Sequence, residues 1–224
     1  MDRGIEQDTG RMRILFGDPI EIHIDAGDKK NPPEYQIAAK VKGLCESRGI
    51  PPSEFITDST GTGRGVASVL QREWSSNINT CEFGGACSAM PVSEENPKPA
   101  SEEYDRKVTE LWYSFRVFVE AGMVRGLDAP TAQEFCSRKY FIKAKKTCVE
   151  TKQEMKERGA PSPDLADCTV TGIHLLREKG VVAQVQTDAK QASGQNLEDF
   201  LRKNDLDGRS DCYSEDTESD GTYD

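Results

Sequence analysis

Asp164 and Asp167 stand three residues apart at the start of a segment that reads as a helix, so both carboxylates project to one side of it. An acid near a helix N-terminus is ordinarily placed there by the helix dipole, and that reading serves Asp164 as well as a chemical one does. Asp167 is harder to dismiss. It lies between the small residues Ala166 and Cys168 on a helix that otherwise buries apolar groups. A half-buried carboxylate needs a partner, and a hard cation is the usual one. Asp58 is the second candidate. It ends the β-rich run Phe55 to Asp58 and precedes a glycine turn, where open α/β sheets place their ligands; the plainer reading is a turn residue that caps the next helix. Carboxylates from these two elements, meeting at a sheet edge, could hold Mg²⁺ or Mn²⁺. Two such ions activate a water and stabilise the leaving oxygen in phosphodiester cleavage. Carboxylate pairs at this spacing are common, so spacing alone points there weakly.

A nucleic-acid substrate needs positive charge, and the chain as a whole carries a net charge of -10. The distribution is uneven. Residues 204 to 224 hold eight acids against one base, Arg209, which leaves about -3 on the rest. Residues 184 to 224 are therefore expected to form an acidic, largely disordered tail, too poor in apolar side chains to offset the entropy of ordering. Solubilisation is the simple role for it, and mimicry of nucleic acid the more specific one. Arg138 to Arg158 has the opposite sign, with Arg138, Lys139, Lys143, Lys145, Lys146, Lys152, Lys156 and Arg158 against three glutamates. A basic patch on a near-neutral domain is what phosphate contact requires, although charge alone equally describes a solvated helix face.

Several classes are excluded at once. The turn Gly61-Thr62-Gly63-Arg64-Gly65 lacks the Gly-Lys-Ser/Thr ending of a Walker A loop, and no other such motif occurs, so the chain carries no ATPase signature. Two histidines, His23 and His174, and seven cysteines without a Cys-x-x-Cys argue against a zinc site. No apolar run approaches the ~18 residues of a membrane span, and the polar Met1 to Arg13 stretch is no signal peptide. Reduced cysteines are the expectation.

The elements that must position these groups alternate. Ile14 to Phe16 and Ile20 to Ile24 look like two strands of a hairpin, with His23 on the polar face. Asn31-Pro32-Pro33-Glu34 starts a helix that Gly49 ends, with Asn31 as cap. The Phe55 to Asp58 strand is followed by a helix carrying Val66, Val69 and Leu70, then by a strand at Asn79 to Phe83. Residues 88 to 101 form a loop. Glu102 to Ala121 reads as one amphipathic helix whose stripe is Tyr104, Val108, Leu111, Phe115 and Phe118. Thr147 to Glu150 is a short strand and Thr151 to Arg158 a charged helical turn or two. Ser162-Pro163 opens the last helix, which Gly180 stops. Strands alternating with helices imply an α/β layer structure with helices on both faces of the sheet.

Two blocks resemble a known family. Phe55-Ile56-Thr57-Asp58-Ser59-Thr60-Gly61-Thr62-Gly63, and the stretch from Glu150-Thr151-Lys152 through Ser162-Pro163-Asp164-Leu165-Ala166-Asp167, are similar to the nuclease domain of tailed-bacteriophage terminase large subunits. The Thr109-Glu110-Leu111-Trp112-Tyr113 helix also fits, and the resemblance spans roughly residues 13 to 180. It implies a fold like ribonuclease H and RuvC: a mixed five-stranded sheet carrying acids that bind two divalent metals, Mg²⁺ or Mn²⁺. It further implies an endonuclease that cuts concatemeric double-stranded viral DNA during packaging in the host cytoplasm, beside the procapsid. The ATPase domain, the small terminase subunit and the portal would be its partners. By position, Asp58 matches the second acid of the cluster and Asp167 the last, with Asp164 as helper. Lys145, Lys146, Lys152, Lys156 and Arg158 are the candidates for DNA contact. The domain is expected over residues 1 to 183.

The family's first acid stands on a strand before the hairpin. Here Ile14 to Phe16 and Ile20 to Ile24 look like the hairpin itself, so that strand and its Asp are expected upstream of Met1. Asp25 mimics the pattern but leads directly into the next helix. The alternative function is therefore a catalytically impaired fragment that binds DNA or packaging partners without cutting. A generic acidic adaptor explains neither the basic segment nor the Ser-Pro-Asp-x-x-Asp helix.

Overall fold

Asp58 is delivered by a β-α-β unit. In the computed structural model, which describes residues 14–183, strands β2 (Ile56–Asp58) and β3 (Asn79–Cys81) pair in parallel, with Ile56 opposite Asn79 and Asp58 opposite Cys81. Parallel neighbours need a crossover, and helix α2 (Gly63–Glu73) supplies it. Successive residues of a strand face opposite ways, and this pair has two covered faces. Phe55 and Ile78 join Val69 and Leu70 of α2 and Ala38 of helix α1 (Pro33–Ser47) in one apolar cluster, where Phe55 meets Trp74 edge-on at 5.4 Å. Ile56 and Cys81 belong to the other, larger cluster. The expected α/β layering with helices on both faces is present.

The larger cluster is built on two long helices, α4 (Lys107–Glu120) and α7 (Asp164–Glu178). Leu111, Phe118, Val170 and Ile173 lie at its centre with no solvent exposure. Truncating a phenylalanine so buried costs about 3–5 kcal/mol. Around these run β1 (Ile14–Leu15), the short helix α3 (Ala100–Glu103), β4 (Val124–Arg125), α5 (Ala129–Ser137), β5 (Tyr140–Lys143), β6 (Lys146–Val149) and α6 (Lys152–Glu157). The described strands form three two-stranded ladders, two parallel and one antiparallel, rather than one continuous sheet. Among the described residues no helix is long and apolar enough to cross a membrane. The acidic segment at 184–224 lies outside them.

Several local expectations are corrected by tertiary contacts. Ile14 pairs with Val124, not with a hairpin partner. The Ile20 to Ile24 stretch forms no strand, and Ile20 and Ile24 remain exposed. Just after it, the Gln36 side chain holds the turn before α1, accepting from the Asp25 amide at 2.8 Å and donating to its carbonyl at 2.7 Å. Helix α1 begins at Pro33 with Pro32 at the cap and no side-chain capping bond, so Asn31 does not cap it. The single helix expected over Glu102 to Ala121 breaks between Tyr104 and Arg106. Tyr104 bridges to Thr147, the Asp105 amide donates to the Thr147 carbonyl at 3.1 Å, and the Lys107 and Val108 amides donate to Gly85 and Phe83. The apolar stripe survives the break, since Tyr104, Val108, Leu111, Phe115 and Phe118 are all buried. Helix α5, β4 and β5 had no counterpart in the sequence reading. The Asp128 side chain caps α5 through the Thr131 amide, at 2.9 Å.

Candidate active site

Helix α7 opens after Pro163, whose carbonyl accepts from the Asp167 amide at 2.9 Å. That turn sets Asp167 against the core beside Ala166 and Val170, and it is only 5 % exposed. Its Oδ1 accepts from Trp112 Nε1 of α4 at 3.1 Å and from Arg138 Nη1 at 3.3 Å. Its Oδ2 is buried and has no hydrogen-bond partner, although Lys152 Nζ lies 2.9 Å away as an ion-pair neighbour outside hydrogen-bonding geometry. Lys152 also donates to Asp164 Oδ1 at 3.1 Å. One ammonium therefore stands between two carboxylates.

The chain builds this arrangement from local rules. Thr151 and Glu154 form a capping box that starts α6 and so fixes Lys152 in its first turn. Ser162 does not cap α7; its hydroxyl donates to Asp164 Oδ1 at 2.6 Å. That bond, followed by Lys152, holds the Asp164 carboxyl below the ordinary range despite partial burial. Burial pulls the Lys152 ammonium down, but Asp167 and then Asp164 outweigh it and leave it raised. Arg138 has its guanidinium 4.7 Å from the Trp112 ring centroid and donates from Nε to the Glu150 carbonyl at 2.7 Å. Its side chain is only 3 % exposed, and burial lowers its pKa against the pull of Asp167. Asp167 is thus held from three sides, by an indole, a buried guanidinium and a half-exposed ammonium.

Asp58 stands at the end of β2, half-buried, on a strand that packs against α7. Its Oδ1 accepts from the Thr60 amide at 2.7 Å, which is the turn role open to it from sequence. The turn is tight because α2 starts on top of it. A Cβ at Gly63 would lie 2.3 Å from the Asp58 carbonyl oxygen, so only glycine fits there. Asp58 and Asp167 both act on Cys81, whose thiol burial pushes up to about 12, with Asp58, Glu110 and Asp167 adding to the rise.

Among the described residues no three His, Cys, Asp or Glu side chains are grouped so as to hold a metal ion. Asp164 and Asp167 are joined through Lys152, and Asp58 stands apart on β2. In chemistry the donors suit a hard divalent cation. They are carboxylate oxygens, one of them buried without a hydrogen bond, and the lysine ammonium already occupies a cation's place between two of them.

The basic residues divide. Lys156 is exposed on α6, and Lys145 is exposed at the β5–β6 turn. Lys146 donates to the Ser101 carbonyl at 2.7 Å. Arg158 is committed to a two-bond pair with Glu150, at 2.7 and 2.8 Å, and to the Ser137 carbonyl. Sequence reasoning missed Trp112 and Arg138 as neighbours of Asp167. Arg138 was visible only as one of eight bases, and Trp112 only as a member of a helix.

No family model matches the chain, and no curated protein does. Among solved structures it is similar to the K428A mutant nuclease domain of the large terminase subunit gp2 of bacterial virus Sf6 with manganese and β-thujaplicinol. Identity is 18 %, 61 % of this chain and 70 % of that one are covered, and the TM-score is 0.46. It is also similar to the K428A mutant gp2c of the large terminase subunit from bacteriophage Sf6 with calcium, at 19 % identity, the same coverage and a TM-score of 0.47.

Proposed function

We propose that this chain is a metal-dependent DNA endonuclease domain of the terminase type, acting on viral DNA during packaging. The observation that carries the reading is the buried Asp167 carboxylate, whose Oδ2 is met only by the half-exposed Lys152 ammonium, at 2.9 Å, which it shares with Asp164. A carboxylate buried only for stability is closed off by fixed partners; here one oxygen faces a cation that water reaches and a metal ion can displace. Asp167 and Asp164 would hold a divalent cation in place of the Lys152 ammonium, with Asp58 apart from them on β2. The cation, when bound, supplies an acidified water for attack on phosphorus and charge for the leaving oxygen. The chain's own groups do the rest. Arg138 and Trp112 hold Asp167 through Oδ1, which leaves Oδ2 to the exchangeable cation. Lys152, released from the carboxylates, and Lys156 on the same helix face the phosphate backbone as point charges.

The test is supercoiled plasmid cutting with Mn²⁺ or Mg²⁺ by the wild-type chain and by Asp167→Asn, which preserves the Trp112 hydrogen bond. Loss of cutting by at least about a hundredfold with the fold intact supports the assignment. Undiminished cutting by the variant overturns it.

A second reading, DNA binding without cleavage, is favoured by the two cations already neutralising Asp167. It expects DNA affinity indifferent to divalent ions and no saturable Mn²⁺ binding by calorimetry.

A further inference from the structure

The hairpin formed by β5 and β6 is one-sided: β6 is packed inward, with Cys148 and Val149 buried, and β5 is not. All four residues of β5 face solvent, and three consecutive ones are large and apolar: Tyr140 at 66 % exposure, Phe141 at 40 % and Ile142 at 74 %. Among the described residues β5 pairs only with β6, so its outer edge is open. The two-residue turn places Ala144 and Lys145 at φ of 50° and 66°, a left-handed conformation that matches the twist of the flanking strands but disfavours non-glycine residues. An open, apolar, well-twisted ribbon is a binding element or an aggregation hazard.

Charge decides what it binds. Lys139 to Lys146 contains four lysines and no acid. Antiparallel pairing of β5 with a second copy, centred on Phe141, would set Lys139 against Lys143 and repel. The partner must be a polyanion that also offers apolar surface. Duplex DNA does both, through its phosphates and through the sugars and base edges of its grooves, into which exposed aliphatic and aromatic side chains can wedge.

Placement adds a further constraint. The root of the ribbon is tied to the candidate site: Arg138 contacts Asp167, the Glu150 amide donates to the Lys139 carbonyl at 2.8 Å, and the Lys139 amide donates to Glu150 Oε2 at 3.2 Å. From that root the ladder runs about 13 Å over the body, with β6 turned inward, where Thr147 bridges Tyr104 and Lys146 Nζ donates to the Ser101 carbonyl, and with β5 on the outside. We infer that the β5–β6 ribbon grips duplex DNA beside the carboxylates, with Ile142 and Tyr140 making apolar groove contact and Lys139, Lys143 and Lys145 contacting phosphates. This deepens the nuclease reading and rests on it for the choice of DNA, but binding through the ribbon needs no metal.

The experiment is duplex DNA binding by fluorescence anisotropy, in EDTA, across a series of salt concentrations. Tyr140→Ser/Ile142→Ser keeps every lysine. It is expected to weaken binding by about tenfold with an unchanged salt slope. Lys139→Gln/Lys143→Gln is expected to flatten the slope by about 1.8. If the double serine variant loses its fold by circular dichroism, Ile142→Ser alone carries the test. Unchanged affinity of the serine variants overturns the inference. So does a wild-type dimer in sedimentation that Ile142→Ser dissolves, which would make the ribbon a self-association edge. Binding lost in the serine variants while the wild type never cuts would sink the nuclease reading and leave the ribbon standing. Metal-dependent cutting with unaffected serine-variant binding would do the reverse.

Discussion

Helices α4 and α7 carry two buried carboxylates, and the contrast between them is instructive. Glu110 has no solvent exposure. Its Oε1 meets Arg177 Nη1 at 2.6 Å, Lys107 Nζ at 3.3 Å and the Ser88 hydroxyl at 2.6 Å, while its Oε2 accepts from the Ser88 amide at 2.7 Å. Arg177 continues to the Pro91 carbonyl at 3.1 Å, so the cluster pins the loop before α3 onto both helices. Every oxygen is used and every cation is buried. Asp167 has a buried arginine too, but its second cation is half in water and shared with Asp164, and it is all that meets one of the two oxygens. The first cluster is closed and spends its charge on holding chain segments together. The second is open on one side, and that side is where an exchange of cations can occur.

The contrast can be broken most severely at Glu110. Glu110→Gln leaves Arg177 and Lys107 buried without their counter-charge and is expected to cost about 3–5 kcal/mol in chemical denaturation. Asp167→Asn also takes the counter-charge from the buried Arg138, but the indole bond persists, Arg138 keeps the Glu150 carbonyl and Lys152 can turn to solvent, so the cost should be smaller, about 2–3 kcal/mol. Equal losses at the two sites would remove the distinction.

Acid provides a second probe. Burial pushes Glu110 up, but the Ser88 hydroxyl and amide, Lys107 and Arg177 together outweigh it and hold the carboxyl below its ordinary value. A depressed folded value means its stabilisation is complete above the unfolded value of about 4.3 and is lost as pH falls through the folded one. The unfolding free energy should therefore decline on acidification in the wild type and decline less in Glu110→Gln. Identical pH profiles would mean that Glu110 contributes nothing through its charge.

The smallest expected effect sharpens the open side. Lys152→Met removes the shared ammonium. Because that pair is half-exposed, stability should move by less than about 1 kcal/mol. Mn²⁺ binding by calorimetry should tighten, since the competing cation is gone. Weaker Mn²⁺ binding would show that Lys152 helps to form the site rather than competing for it.

Much of this was legible in the sequence, and the exceptions share a cause. The stripe of α4, the helix α7, the strand ending at Asp58 and the need of Asp167 for a cation follow from periodicity and from the cost of burying charge. The cation's identity did not follow. Arg138 and Lys152 reach Asp167 from other elements, and no local pattern records that meeting. The hairpin expected at Ile20 to Ile24 failed for the same reason, because the partner of Ile14 is Val124, more than a hundred residues away. The break before Lys107 is likewise written in contacts with Phe83, Gly85 and Thr147. Where one residue's neighbours come from its own element, sequence suffices; where they are gathered from several, it does not.

The indole that touches Asp167 has a practical consequence. The chain contains two tryptophans, and Trp74 is set in the separate cluster beneath α1 and α2. In a Trp74→Phe background, Trp112 becomes the sole strong ultraviolet emitter, with a guanidinium over its ring and its N–H on the carboxylate of interest. Its colour and brightness then give an optical readout of whatever replaces Lys152, without label or substrate.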